Sequence, residues 1–241
     1  MRLNKGEDLQ SRGMREAGRV VSGMVHWVMV IDLNKCVGCM ACVAACQVEN
    51  FLPLGVSWGR VVDFEDGKYP SVERVFLPMP CMHCEEAPCV KVCPTEATFR
   101  REDGIVLIDY DKCIGCRLCM IACPYDSRVY LEKVDLPIFF SRLKRDPRSK
   151  YQKIKEKAVA KCTFCVHRID KRGNGKVPGK DPEVTPICVT VCNGHARYFG
   201  DLDDPESEVS KILMKERERA FVLYEKANTK PSTYYLRRIK R

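Results

Sequence analysis

The sequence predicts an α+β chain with little regular secondary structure and long loops, built around metal ligands rather than around a continuous apolar core. Three observations predict it. Sixteen cysteines among 241 residues fall into four groups of four, with none elsewhere. The segment 105–124, IVLIDYDKCIGCRLCMIACP, repeats 28–47, VMVIDLNKCVGCMACVAACQ. Between the cysteine groups, glycine and proline interrupt most stretches, while an apolar share of 45% still allows globular packing.

Taken in order, residues 1–27 form an N-terminal extension in which 14–24 suit a short helix. Residues 28–31 read as a buried strand. The first group, Cys36, Cys39, Cys42 and Cys46, has the spacing C-x2-C-x2-C-x3-C of bacterial ferredoxins. Three thiolates on one tight loop grip three irons of a cubane. The fourth, one helical turn further on, faces a neighbouring site. A helical turn is expected over Cys42–Val48, then loops and a hairpin over 51–79. The second group, Cys81, Cys84, Cys89 and Cys93, has two extra residues in its second gap, which a loop absorbs; Pro94 ends the short helix after it.

In the third group, Cys113, Cys116, Cys119 and Cys123 match the first group, as do Asp109 with Asp32, Lys112 with Lys35, and Gly115 with Gly38. The two glycines are expected where backbone approaches a cluster. LPIFF at 136–140 and the basic run after it read as a solvated insertion or a docking surface. The fourth group is split into Cys162 and Cys165, a loop of twenty-two residues, and Cys188 and Cys192. After it, Asp203 or Asp204 is expected to cap a helix starting near Pro205, and TYYLRRIKR reads as a basic tail that lies along a partner.

The clustered cysteines exclude a disulfide framework, which spreads its bridges over distant segments. Zinc suits two separated pairs rather than triple runs, so only the split fourth group reads as a zinc ribbon if taken alone. The formal net charge is +9. Four [4Fe–4S] clusters with their thiolates would add about −8, leaving the loaded chain near +1, so the basic excess is counter-charge and nucleic acid is not the expected partner. Val20–Ile31 is too short and too polar for a transmembrane helix, which needs about 20 apolar residues, and no targeting segment is expected.

In two-cluster ferredoxins the fourth cysteine of each run ligates the other cluster. Applied here, the rule pairs the second group with the third and the first with the fourth. It predicts four sites: Cys36, Cys39, Cys42 and Cys192; Cys46, Cys162, Cys165 and Cys188; Cys81, Cys84, Cys89 and Cys123; Cys93, Cys113, Cys116 and Cys119. Every cysteine is used. The predicted fold is therefore two bacterial-type dicluster ferredoxin domains, one inserted in the other. Unit A comprises 28–58 and 158–200, and unit B comprises 59–131. A basic insertion occupies 132–157, and a C-terminal extension 201–241.

The motifs VIDLNKCVGCMACVAACQVEN, CMHCEEAPCVKVCPTEAT, DGIVLIDYDKCIGCRLCMIACPYDSR, KCTFCVHRID and ARYFGDLDDPESEVSK together resemble the four-cluster iron–sulfur subunit of complex molybdoenzymes: dimethyl sulfoxide, polysulfide, tetrathionate and arsenate reductases. The resemblance covers about residues 27–218. Asn193 departs from it, standing where many relatives have proline, and the stretch 132–161 is longer than in the shortest members. The resemblance implies four [4Fe–4S] clusters relaying electrons between a quinone-linked integral membrane subunit and a large molybdenum or tungsten pterin catalytic subunit. It also implies a membrane-associated complex, on the extracytoplasmic face through a partner's export signal, with a cytoplasmic site as the alternative. The substrate class it suggests is a sulfur or arsenic oxyanion or a similar acceptor.

No residue pattern for bond-making catalysis is present, so the chain reads as a wire and no catalytic residue is assigned. Lys35, Lys112 and Lys161 each directly precede a cluster cysteine, either as solvated charges or as cations that raise a cluster's potential. His83 and His167, beside cluster cysteines, read as packing or tuning residues rather than ligands. Two other functions are consistent with parts of the chain: a stand-alone polyferredoxin between soluble enzymes, and a zinc-dependent nucleic-acid binder, which would be colourless.

Overall fold

The computed structural model describes residues 25–135, 154–173 and 175–239. The helix expected at 14–24, the LPIFF patch and most of the basic run after it lie outside these residues.

The strand expected at 28–31 runs from Trp27 to Asp32 (β1) and is buried along its whole length. Its unbroken apolar run follows from burial on both faces. Met29 and Ile31 join the main core with Phe199 and Tyr235, while Val28 and Val30 pack with Val209, Tyr234 and Leu236. β1 pairs antiparallel with β8 (Arg197–Asp201) and parallel with β10 (Thr233–Leu236). β9 (Ala220–Phe221) completes the sheet, in the order β8-β1-β10-β9.

Three antiparallel hairpins supply the other strands: β2 (Arg60–Lys68) with β3 (Ser71–Met79), β4 (Thr98–Arg100) with β5 (Val106–Ile108), and β6 (Val129–Leu131) with β7 (Ala158–Ala160). The first hairpin answers the expectation for 51–79. Each cysteine group thus lies between an entry strand and an exit strand. Each exit strand pairs with the next entry strand, and β8, the exit of the fourth group, pairs with β1, the entry of the first. The four groups stand on a closed cycle of antiparallel pairs.

Short helices carry cysteines of each group, α1 (Ala41–Glu49), α2 (Pro88–Lys91), α3 (Leu118–Ile121) and α5 (Ile187–Thr190), while α4 (Val166–Ile169) directly follows Cys165. The longer α6 (Glu208–Lys215) packs its buried Val209 on the sheet. The cap of α6 differs from expectation. Ser207, not Asp203 or Asp204, occupies the N-cap, and its hydroxyl accepts from the Ser210 N–H. Asp204 instead accepts from the Glu206 N–H at 2.9 Å, which turns the chain before the helix begins.

The C-terminal run is a second correction. Thr233–Leu236 is no tail; it is a fully buried strand. The Met29 N–H donates to the Ser232 carbonyl at 3.0 Å, the Ser232 N–H to Met82 at 2.8 Å, and the Glu85 N–H to Lys230 at 2.8 Å. The Tyr235 hydroxyl, buried in the core, donates to the Pro78 carbonyl at 2.9 Å. The segment therefore stitches β1 to the loop of the second cysteine group. Arg219 adds an ion pair to Asp32 at 2.7 Å, where the first cluster loop begins.

Deleting the residues after Asn228 removes the β10 pairing, the Tyr235 anchor and the stitching bonds. The truncated chain is expected to retain little iron after purification, whereas a partner-binding tail would leave loading intact. Iron per chain, measured against the full-length protein, checks this.

Candidate metal centres

The repeated D-x-x-K-C opening of the first and third groups has a local cause. The Asp32 carboxylate accepts from the Asn34 N–H at 2.9 Å, and the Asp109 carboxylate from the Asp111 N–H at 3.0 Å. Each is an Asx turn that swings the chain from strand into cysteine loop. Gly38 and Gly115 both have φ +69°, but the close approach there is to other parts of the chain. An added Cβ would meet the Phe76 ring at Gly38, and the Lys157 carbonyl oxygen at Gly115. Left-handed backbone and packing against other chain segments each require glycine at both positions.

After the fourth cysteine of the last three groups the same turn recurs. Glu96, Asp126 and His195 donate their N–H to the carbonyls of Cys93, Cys123 and Cys192, at 3.2, 3.3 and 2.9 Å. Asn193 in place of proline leaves that turn unchanged.

The cysteines gather in sets drawn from different groups. One cavity, about 380 Å³ including its open mouth, is lined by Cys36, Cys39, Cys42 and Cys192. A second, about 320 Å³, is lined by Cys93, Cys113, Cys116 and Cys119. Deeper in the protein, burial pushes the Cys46 thiol far up, and the charges of Cys162, Cys165 and Cys188 push it further. Burial likewise pushes Cys84 up to about 12, and Cys81, Cys89 and Cys123 are the cysteines around it. Loading metal into the buried sets must release these protons, so binding and folding are coupled to deprotonation.

A four-thiolate zinc site needs bonds of about 2.3 Å, so its sulfurs crowd round one point. Among the described residues, no three His, Cys, Asp or Glu side chains converge closely enough to hold a single metal ion. Four sulfurs ringing a space suit the larger [4Fe–4S] core. Backbone N–H groups already point at several of the sulfurs: Thr98 at Cys93 (3.4 Å), Phe164 at Cys162 (3.4 Å) and Ala196 at Cys192 (3.3 Å). Such bonds favour the charged, ligating form.

The three lysines diverge. Lys35 and Lys112 are exposed. Lys35 donates to the Tyr198 hydroxyl, and that bond raises its pKa. Lys161 is 1% exposed, its ammonium held by the carbonyls of Val106 and of Cys162, the latter at 2.7 Å. Of the two histidines, His83 is buried and stacks on Phe164 at 3.8 Å. Burial, helped by the charges of Lys161 and Arg128, holds it neutral, and its Nδ1 accepts from the Val106 N–H at 3.0 Å.

Sequence reasoning missed four residues at these sites. Buried Asn50 donates to the Cys46 carbonyl at 2.9 Å and reaches its sulfur at 3.5 Å. Glu49 accepts from His167 at 2.8 Å and Arg168 at 3.0 Å, tying α1 to α4. Arg197 and Arg128 are buried against cysteine sulfurs. Only the ending of VIDLNKCVGCMACVAACQVEN carried a hint of the first two.

Burial pushes the Glu49 carboxyl up, but the hydrogen bonds from His167 and Arg168 outweigh it and hold the pKa below the usual carboxylate value. A depressed pKa contributes stability that is complete above the unfolded value, about 4.3, and is lost as pH falls through the lower folded value. Glu49→Gln is expected to destabilise the loaded protein by about 1–3 kcal/mol near neutral pH, with the deficit shrinking below about pH 4. Rates of visible-absorbance bleaching for both proteins across pH check the sign.

Three models described as a 4Fe-4S dicluster domain match residues 35–97, 72–135 and 105–193. Among curated proteins, the chain is 42% identical over 224 residues to a subunit of the selenate reductase of Mesobacillus selenatarsenatis, covering 88% of this chain and 72% of that one. It is 40% identical to a subunit of the sulfite dehydrogenase of Allochromatium vinosum, covering 90% and 85%. It is 37% identical to the iron–sulfur cluster-binding subunit of the menaquinone reductase of Nitratidesulfovibrio vulgaris, covering 89% of each.

Proposed function

We propose a function from one premise: the chain belongs to the family of four-cluster iron–sulfur electron-transfer subunits of complex molybdoenzymes. Its cofactors are [4Fe–4S] clusters, which when bound accept and pass on single electrons. Its part in a complex is conduction rather than bond-making.

The cysteine sets expected from the sequence are our assignment of the ligands. Cys36, Cys39, Cys42 and Cys192 hold the first site. Cys46, Cys162, Cys165 and Cys188 hold the second. Cys81, Cys84, Cys89 and Cys123 hold the third. Cys93, Cys113, Cys116 and Cys119 hold the fourth. The single observation that carries this is the mixed parentage of the sets: the two cavities and the two buried groups each combine cysteines of different runs. The domain reading follows, with unit A formed by 28–58 and 158–200 and unit B, 59–131, inserted in it.

The sites order themselves by contact. Arg197 touches Cys42 of the first and Cys188 of the second. The charge of Cys81, from the third, bears on Cys162 of the second, and the His83–Phe164 stack joins the same two loops. Arg128 lies among Cys89 of the third and Cys119 of the fourth. The line ends at the exposed cysteines Cys39 and Cys116. Around them stand exposed apolar side chains, Val37 at one end and Ile114 and Ile121 at the other. A wire with both ends at the surface serves two partners.

One partner is a large molybdenum or tungsten pterin subunit and the other a quinone-reacting membrane subunit. The names of the relatives, which include a menaquinone reductase component, support this. Among the described residues no helix is long and apolar enough to cross a membrane, so membrane attachment is assigned to the partner. The proposed location is the extracytoplasmic face, with export through a partner's signal, and the proposed substrate is an oxyanion of sulfur, selenium or arsenic.

Purification from the native cell tests the reading. Co-elution with a larger molybdenum- or tungsten-containing subunit, with about sixteen irons per copy of this chain, is expected. Elution as a lone monomer free of both metals favours the polyferredoxin instead. For the ligands, Cys46→Ser and Cys165→Ser are each expected to remove the same electron paramagnetic resonance signal. Loss by Cys46→Ser of the signal that Cys39→Ser removes contradicts the assignment.

A further inference from the structure

Two arginines stand at matching places in the two halves. Arg128 follows Cys123 by five residues and directly precedes β6; Arg197 follows Cys192 by five and opens β8. Each closes the later cysteine group of its unit. Both are buried, 6% and 7% exposed. A guanidinium keeps its proton under all protein conditions, so each is a fixed buried positive charge.

Neither has a carboxylate partner among the described residues. Arg197 donates to three sulfurs: Nη2 to Cys42 Sγ at 3.5 Å, Nη1 to Cys188 Sγ at 3.7 Å and Nη1 to Met29 Sδ at 3.4 Å. Arg128 Nη1 donates to Thr98 Oγ1 at 3.3 Å, while its buried Nη2 has no hydrogen-bond partner. The groups whose charges act most on Arg128 are Cys89, Cys119 and Cys81. A buried cation left this way is strongly unfavourable unless an anion faces it. The anions available are the thiolate-bound clusters, which carry negative charge before and after reduction.

Each arginine also bears on two sites rather than one. Arg197 reaches Cys42 of the first site and Cys188 of the second; Arg128 lines the cavity of the fourth site, and its charge acts on Cys89 of the third. A positive charge so placed favours the added electron on either neighbour and weakens the repulsion between them when both are reduced. The exposed Lys35 and Lys112 are screened by water and act more weakly.

We infer that Arg197 and Arg128 are the intercluster tuning residues of the relay, each raising together the potentials of the two clusters that flank it. Arg197 sets the first and second, and Arg128 the third and fourth. The inference rests on the ligand assignment above. That assignment fails or stands by which signals the cysteine variants remove, independently of any potential.

The test is a redox titration of the intact complex, followed by electron paramagnetic resonance, in Arg197→Met and Arg128→Met with iron counted in each. In Arg197→Met, the reduction equilibria of the first and second clusters are expected to fall about tenfold or more, about 59 mV for one electron, with the third and fourth unmoved. Arg128→Met is expected to give the converse. Arg197→Lys and Arg128→Lys keep the charge and are expected to keep wild-type potentials. A fully loaded methionine variant with unchanged potentials, or with only one cluster shifted, overturns the inference. Where a methionine variant loses iron, the lysine variant decides: wild-type potentials support the role of charge, and lowered potentials overturn it.

Discussion

Each site needs four thiolates, and a tight loop can aim only three of them at one point. The fourth must come from elsewhere in the chain. On the proposed ligation, that requirement organises the whole molecule. It brings Cys192, near the far end, back to the loop that begins at Cys36, and it sends Cys46 across to the split fourth group. The cycle of strand pairs, in which β8 closes on β1, is the backbone form of the same requirement. Glu49 gripping His167 and Arg168 is its side-chain form, holding the helix that carries Cys46 against the helix that follows Cys165.

Burial and charge are arranged around that requirement. Among the described residues the interior holds thiol groups, Lys161, Arg128 and Arg197, while the buried acids Asp32 and Asp103 pair with Arg219 and Arg101 instead, so anionic clusters would supply the missing counter-charge. The formal excess of positive charge in the sequence has the same origin. The charges that matter most are the few inside, since surface lysines and arginines are solvated and screened. Folding and loading are then one process, because the buried cations and the buried cysteines each stabilise the protein only in company with the other.

Much of this is legible in the sequence, because cysteine spacing is local and its geometric meaning is fixed by the size of a cluster. The apolar run at 28–31 and the paired Asp32 and Asp109 are legible for the same reason: a buried strand and an Asx turn each need only neighbours in sequence. What escapes is what depends on distant convergence. Arg128 and Arg197 are two among 41 basic residues, and nothing in their flanks marks them as buried. Thr233–Leu236 is short, aromatic and followed by arginines, so it reads as a tail until its parallel pairing with β1 is seen. Ser207 takes the cap from Asp204 because the Asx turn at Asp204 delays the helix by one more turn of chain. Gly38 and Gly115 are legible as glycines that matter, but the Phe76 ring and the Lys157 carbonyl that require them come from other segments.

The crossing of the fourth cysteines is tested most directly by an experimental density map of the loaded complex, with iron positions marked by anomalous scattering. Four cubanes in a line are expected, the first held by Cys36, Cys39 and Cys42 and completed by Cys192, with Cys46 on the second. A first cubane completed by Cys46, or a line in another order, contradicts it.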